Sequence, residues 1–226
     1  MNTKLIKILL AGAVMAFGLS MRVAAGPVAL LPDTTVSLVA LLNSPPAAYV
    51  TLETDAFSSA TVSGTVTAAV LKNDPNNPWA SAGGLTFEYQ IFNSPNSLDA
   101  ITGIGIDGWV GYNTDVAYIA KGGGVIHPEF ATRSLAADTV TFGWQNPEAG
   151  TGLVRIGITS DWVVIYSDAT SWDYDTGGVR DGSGATMLII GPATISGRVP
   201  DGGTTALLLG FGLLGMCWTV RRFKRS

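Results

Sequence analysis

Leu85-Thr-Phe-Glu-Tyr-Gln-Ile-Phe-Asn93 alternates strictly over its first seven residues: Leu85, Phe87, Tyr89 and Ile91 fall on one side of an extended chain, and Thr86, Glu88 and Gln90 on the other. A period of two belongs to a β-strand with one face toward a core. The same pattern recurs outward from it. Residues 61–70 set Val62, Val66, Ala68 and Val70 against Thr61, Ser63, Thr65 and Thr67. Residues 139–144 repeat it through Val140, Phe142 and Trp144, and residues 153–158 through Val154, Ile156 and Ile158. Continuous apolar runs at residues 36–42, 162–166 and 187–190 predict strands buried on both faces.

Between these runs lie turn-forming clusters, at residues 73–78, 93–96, 121–124 and 173–184. No long helix with capping signals is legible between residues 26 and 203. About ten short strands in this stretch predict an all-β fold, an antiparallel β-sandwich of jelly-roll type. With 47% hydrophobic residues, 13% charged residues and a single cysteine, coiled-coil, acidic-disordered and disulfide-stapled classes are excluded.

The net charge of −4 is unevenly spread. All 17 acidic residues lie between Asp33 and Asp201, where only six of the 13 basic residues are found, so the central stretch carries −11. Such a body repels phosphate and disfavours nucleic acid as a partner. The ends are basic and apolar. Lys4 and Lys7 precede an uncharged apolar run at residues 8–19, and Val23 and Ala25 suit cleavage before Gly26, which reads as a signal peptide over residues 1–25 processed by signal peptidase.

At the other end residues 204–220 are uncharged and apolar, and Arg221, Arg222, Lys224 and Arg225 follow at once. As a helix, 17 residues reach ~26 Å, the short end of what spans a bilayer core, and the basic cluster keeps the C-terminus cytoplasmic. The expected organisation is therefore a signal peptide at 1–25, an ectodomain at 26–198, and a tail at 199–226 divided into a junction (199–203), a membrane helix (204–220) and a basic end (221–226). The only cysteine, Cys217, lies in that tail, so the ectodomain owes nothing to disulfides.

The junction reads Val199-Pro200-Asp201-Gly202-Gly203. A Val-Pro motif, a short apolar helix and an Arg-rich terminus, behind a signal peptide, resemble the PEP-CTERM class of exosortase sorting signals, in its Val-Pro-Asp-Ser-Gly variant with Gly202 in place of Ser. The resemblance implies export, temporary anchoring, recognition by a membrane-embedded exosortase, cleavage near the motif, and release to the cell surface or extracellular matrix, with biofilm polysaccharide as an associated partner. Pro200 and the Gly202-Gly203 pair keep the junction non-helical, where a protease reaches the backbone. An ordinary single-pass anchor is the alternative. Residues 85–93, 114–118, 164–170 and 181–182 also resemble a β-rich domain that recurs before such tails; no catalytic residues come with it.

Chemistry-bearing residues in the body are sparse. Gly103, Gly105 and Gly108 match a dinucleotide-binding spacing, but Trp109-Val-Gly-Tyr-Asn after them is strand and turn material rather than a helix. His127 is the only histidine, without a Gly-x-Ser-x-Gly elbow, so catalytic and zinc roles lack their usual companions. Asp168, Asp173, Asp175 and Asp181, with Gly177, Gly178, Gly182 and Gly184, suit calcium's preference for hard oxygen ligands, a solvated loop being the plainer reading. Trp79, Trp172 and Tyr174 fall in predicted loops, where flat rings stack on sugars, whereas Trp144 and Trp162 read as core. The expectation is a non-enzymatic, exported surface or matrix protein with no resident cofactor. A secreted carbohydrate-binding module is the alternative, and a hydrolase with an unrecognised site the third reading.

Overall fold

The computed structural model describes residues 26–41, 47–120, 126–144, 153–181 and 184–194. The expected signal peptide, sorting junction, apolar tail and basic end lie outside these residues, as do the turn at 121–124 and Gly182.

Among the described residues thirteen strands, rather than about ten, form two sheets. They are β1 (Val28–Ala29), β2 (Thr35–Ser37), β3 (Ala40–Leu41), β4 (Ala48–Ser58), β5 (Ser63–Lys72), β6 (Thr86–Asn93), β7 (Gly103–Ile106), β8 (Thr114–Ile119), β9 (Phe130–Arg133), β10 (Val140–Gly143), β11 (Trp162–Ser167), β12 (Trp172–Arg180) and β13 (Ala185–Pro192). The seven-stranded sheet runs β1-β8-β11-β6-β5-β4, with β3 also on β8, and the six-stranded sheet runs β13-β12-β7-β10-β9-β2. All strand pairs are antiparallel except β3 with β8. This is the expected β-sandwich, and its only helical element among the described residues is one 3-10 turn, Ala80–Ala82.

The alternating stretches supply the core. Phe87, Tyr89 and Ile91 from β6, Val66, Ala68 and Val70 from β5, Phe142 from β10 and Ile104 and Ile106 from β7 meet between the sheets, with Trp109 set edge-on to Phe87 at 5.3 Å. Strand β11 is buried on both faces, as its continuous apolar run predicts. Val163 and Ile165 enter the main core, while Trp162, Val164 and Tyr166 join a second cluster with Leu71, Ala117 and Ile119, capped by Trp79. For the same reason Thr86 and Glu88, expected on a solvated face, are fully buried.

Four expectations are corrected. Residues 153–158 form no strand: Val154 makes an isolated bridge to Ile101, Gly157 takes φ +75°, and Ile156 turns out to solvent. The run at 36–42 divides between sheets, since β2 pairs with β9 of one sheet and β3 with β8 of the other. In β13 Leu188 is 67% exposed, so only one face of that part of the strand is buried. Residues 173–184 are not a connector but mostly strand β12, paired on both sides with β7 and β13.

Candidate functional site

The sequence-selected residues do not converge. Asp173 and Asp175 stand on β12, where their carboxylates accept hydrogen bonds from the amides of Tyr174 (2.8 Å) and Thr176 (2.7 Å). Asp168 precedes this strand and accepts from Asn113 N and Nδ2 at 2.9 and 2.8 Å. Asp181 follows it and binds Thr61 Oγ1 and the Gly184 amide. Nine strand residues, ~30 Å of chain, thus separate the two ends of the proposed calcium loop. Among the described residues no three His, Cys, Asp or Glu side chains gather in a metal-binding group.

The aromatic trio is divided, Trp79 standing apart from the Trp172–Tyr174 pair on β12. Trp79 caps the second core cluster, and Trp172 packs against the main core. Tyr174 is half exposed, edge-on to Trp172 at 6.2 Å, and its Oη donates to Glu53 Oε2 at 2.6 Å. That hydrogen bond to a carboxylate, with some burial and the negative field of Asp55 and Asp173, raises the phenol's pKa. Trp144 and Trp162 are core residues, as expected.

His127 stacks on Tyr118 with ring centroids 5.3 Å apart and planes at 13°. Asp161 lies close enough to feel its charge: burial raises the Asp161 carboxyl pKa, and His127 partly opposes that shift. The neighbouring Ser160 is no free nucleophile, because its Oγ accepts from the Ile91 amide at 3.0 Å and donates to the Asp161 carbonyl at 2.8 Å. Gly103 and Gly105 sit in β7, and Gly108 makes a left-handed turn at φ +92°, so no helix N-terminus faces a pyrophosphate.

The structure instead brings together a feature that the sequence does not announce. The strand registers align Thr35, Thr132, Thr141, Gly105, Gly178 and Thr186 in one row across all six strands of the second sheet. The row lies on the outer face, since its neighbours along the strands, Ala131, Val140, Ile104, Ile106 and Val179, are in the core. Thr35 and Thr132 hydroxyls are 2.9 Å apart. Two clefts of about 390 and 370 Å³ flank the row, sharing Thr139 and Arg180. A Cβ added at Gly105 or Gly178 meets nothing closer than 3.5 Å, so these glycines leave the clefts open rather than avoid a clash. Arg180 and Asp107 are the only charged residues lining either cleft.

One end of the sandwich is organised around a different residue. Arg133, 4% exposed at the end of β9, donates to the carbonyls of Trp109 (2.7 Å), Tyr112 (2.8 Å), Ala137 (3.2 Å) and Leu30 (3.4 Å) and to Thr114 Oγ1 (3.2 Å). It ties three loops together through carbonyls and a hydroxyl, burial lowering its pKa and Asp168 opposing this. The Tyr112 hydroxyl donates to the Ala193 carbonyl at 2.6 Å, fixing the last described residues to the same end. No motif or spacing in the sequence singles out Arg133.

A β-sandwich whose last described strand ends seven residues before a Val-Pro-Asp junction, with an apolar, basic-ended tail after it, has the sequence order of an exported protein with a C-terminal sorting signal. Residues 198–217 match the VPDSG-CTERM motif, a variant of the PEP-CTERM-like sorting signals, which confirms the resemblance drawn from the junction. The match is confined to the tail and leaves the sandwich unclassified. No curated protein and no solved structure matches the chain. Among the described residues no helix is long and apolar enough to cross a membrane, and the tail lies outside them.

Proposed function

We propose that the chain is a surface or extracellular-matrix protein that an exosortase processes after signal peptidase has removed its leader, and that its sandwich has a non-catalytic structural or interaction role. The sorting motif at residues 198–217 carries this reading. It follows β13 after only a few residues, so the folded body is what a cleavage near Val199, Pro200, Asp201, Gly202 and Gly203 would deliver. Arg221, Arg222, Lys224 and Arg225 supply the stop-transfer charge that orients the tail before cleavage. The test is the C-terminal mass of the protein recovered from its native host. Truncation near residues 199–203 is expected, and a mature product ending at Ser226 refutes exosortase processing.

One observation favours carbohydrate binding as a more specific role, and it is the hydroxyl and glycine row rather than the aromatic trio. Threonine hydroxyls both donate and accept, as sugar hydroxyls do, and the clefts offer open backbone with only two charges. The face is charge-balanced within a body at −11, which suits a neutral polysaccharide rather than an acidic one. Gly178→Val would fill the cleft with an outward-facing strand residue. Polysaccharide co-sedimentation should then be lost while the melting temperature holds; unchanged binding rejects this role and leaves the sorting assignment intact.

A further inference from the structure

The place where the chain leaves the fold dictates which end of the sandwich meets the membrane. Strand β13 finishes at Pro192, and Ala193 is pinned by Tyr112 and by its own amide, which donates to the Ser171 carbonyl at 3.1 Å. Ten residue steps separate Thr194 from Thr204, where the apolar segment begins. Fully extended they reach ~35 Å, and as a flexible coil ~18 Å. The headgroup layer itself occupies ~5–7 Å on each side of the hydrocarbon. An anchored chain is therefore held with its tail-exit end close to the lipid surface.

Three large apolar side chains stand in solvent at that end. Leu31 follows β1, Val110 lies between β7 and β8, and Leu135 lies between β9 and β10; they are 64%, 53% and 78% exposed. They are not flexible accidents. Arg133 holds the carbonyls of Leu30 and Trp109, the residues immediately before Leu31 and Val110. The turn carrying Leu135 is fixed by Ser134 Oγ, which accepts from the Asp138 and Thr139 amides at 3.1 Å, and by Asp33 N on the Ser134 carbonyl. Three loops from both sheets thus present leucine and valine in one crown, on the side of the molecule from which the tail departs.

We propose that this crown rests on the bilayer, with Leu31, Val110 and Leu135 in the headgroup layer, for as long as the uncut tail holds the chain. The proposal rests on the reading of residues 204–220 as a membrane span. It gives the apolar loops an occupant, because a surface tethered this closely faces lipid at high effective concentration. Partial insertion of a few side chains is weak alone and useful only while tethered. Cleavage at the junction then lets the body leave without a residual anchor.

The test uses the full chain with Cys217→Ser, reconstituted in phosphatidylcholine vesicles, carrying an environment-sensitive label at Leu135→Cys or at Leu98→Cys. Leu98, 77% exposed, hangs from the Thr61 carbonyl at the opposite end of the sandwich. Iodide quenching is expected to be several-fold weaker at 135 than at 98, with blue-shifted emission at 135 only. Leu31→Asn with Val110→Asn, in the chain labelled at 135, should bring the two positions together. Protein that fails to float with the vesicles overturns the anchor reading. Protein that floats with equal quenching at both positions overturns this proposal alone. Protection seen in host membranes but not in lipid vesicles assigns the crown to a membrane protein and likewise overturns it.

Discussion

Replacing Arg133 by methionine removes the one side chain that joins the loops after β1, β7 and β9, while keeping most of its buried volume. The two shortest contacts, 2.7 Å to Trp109 O and 2.8 Å to Tyr112 O, are charge-assisted hydrogen bonds, each worth ~1.5–3 kcal/mol. The contacts to Ala137, Leu30 and Thr114, at 3.2–3.4 Å, are longer and add less. These values are already net of solvation, and burial of the guanidinium at a site 4% exposed holds their sum to the low end of the range. The carbonyls left behind belong to end loops and partly regain water. The net expectation is a loss of ~3 kcal/mol for Arg133→Met. Arg133→Lys should lose about as much, because one ammonium cannot span carbonyls on three loops. Urea unfolding of residues 26–198 reads this as a midpoint lowered by ~1–2 M at unchanged slope. A loss below ~1 kcal/mol in both variants would refute the view that Arg133 organises this end.

A Cβ at Gly64 would lie 2.0 Å from Phe92 O, a backbone atom that cannot yield, so Gly64→Ala should cost ~3 kcal/mol or more; Gly178→Ala, whose Cβ meets only Ala185 O at 3.6 Å, should be neutral or stabilising by up to ~1 kcal/mol, and paired thermal melts check both. Burial raises the Asp161 carboxyl pKa, and its Oδ1 has no hydrogen bond. For an acid raised on folding, the native state binds more protons within the window between the unfolded and folded pKa values, so stability falls as pH rises through it. Asp161→Asn should therefore raise the melting temperature at neutral pH, with the gain shrinking as pH falls toward ~4; a gain independent of pH refutes this account.

Where residue alternation and packing agree, the sandwich was legible. Residues 85–91 and 139–144 became β6 and β10 because their apolar members reach one core. Alternation alone misled at 153–158, where the same period leads into a turn at Gly157 rather than into a sheet. Composition misled at 173–184 in the opposite direction. Asp and Gly usually mark a loop, yet in β12 the glycine serves close strand approach: a Cβ on Gly177 would come within 2.7 Å of Ile189 and 3.3 Å of Gly105 O.

The candidate face was hidden for a different reason. A threonine on a strand is among the least informative residues in a sequence, since it suits either face of a sheet. Thr35 and Thr186 stand near opposite ends of the described chain, and the row between them exists only through five strand registers. A shift of one residue in any of these would turn that strand's hydroxyl or glycine into the core. The core fixes the registers: Val140, Phe142, Ile104, Ile106 and Val179 must all face inward, which leaves Thr141, Gly105 and Gly178 to face out. The hydroxyl face is therefore a consequence of where the apolar residues had to go. Its chemistry could be read only after every partner strand was known, whereas the sorting tail, being contiguous, was readable at once.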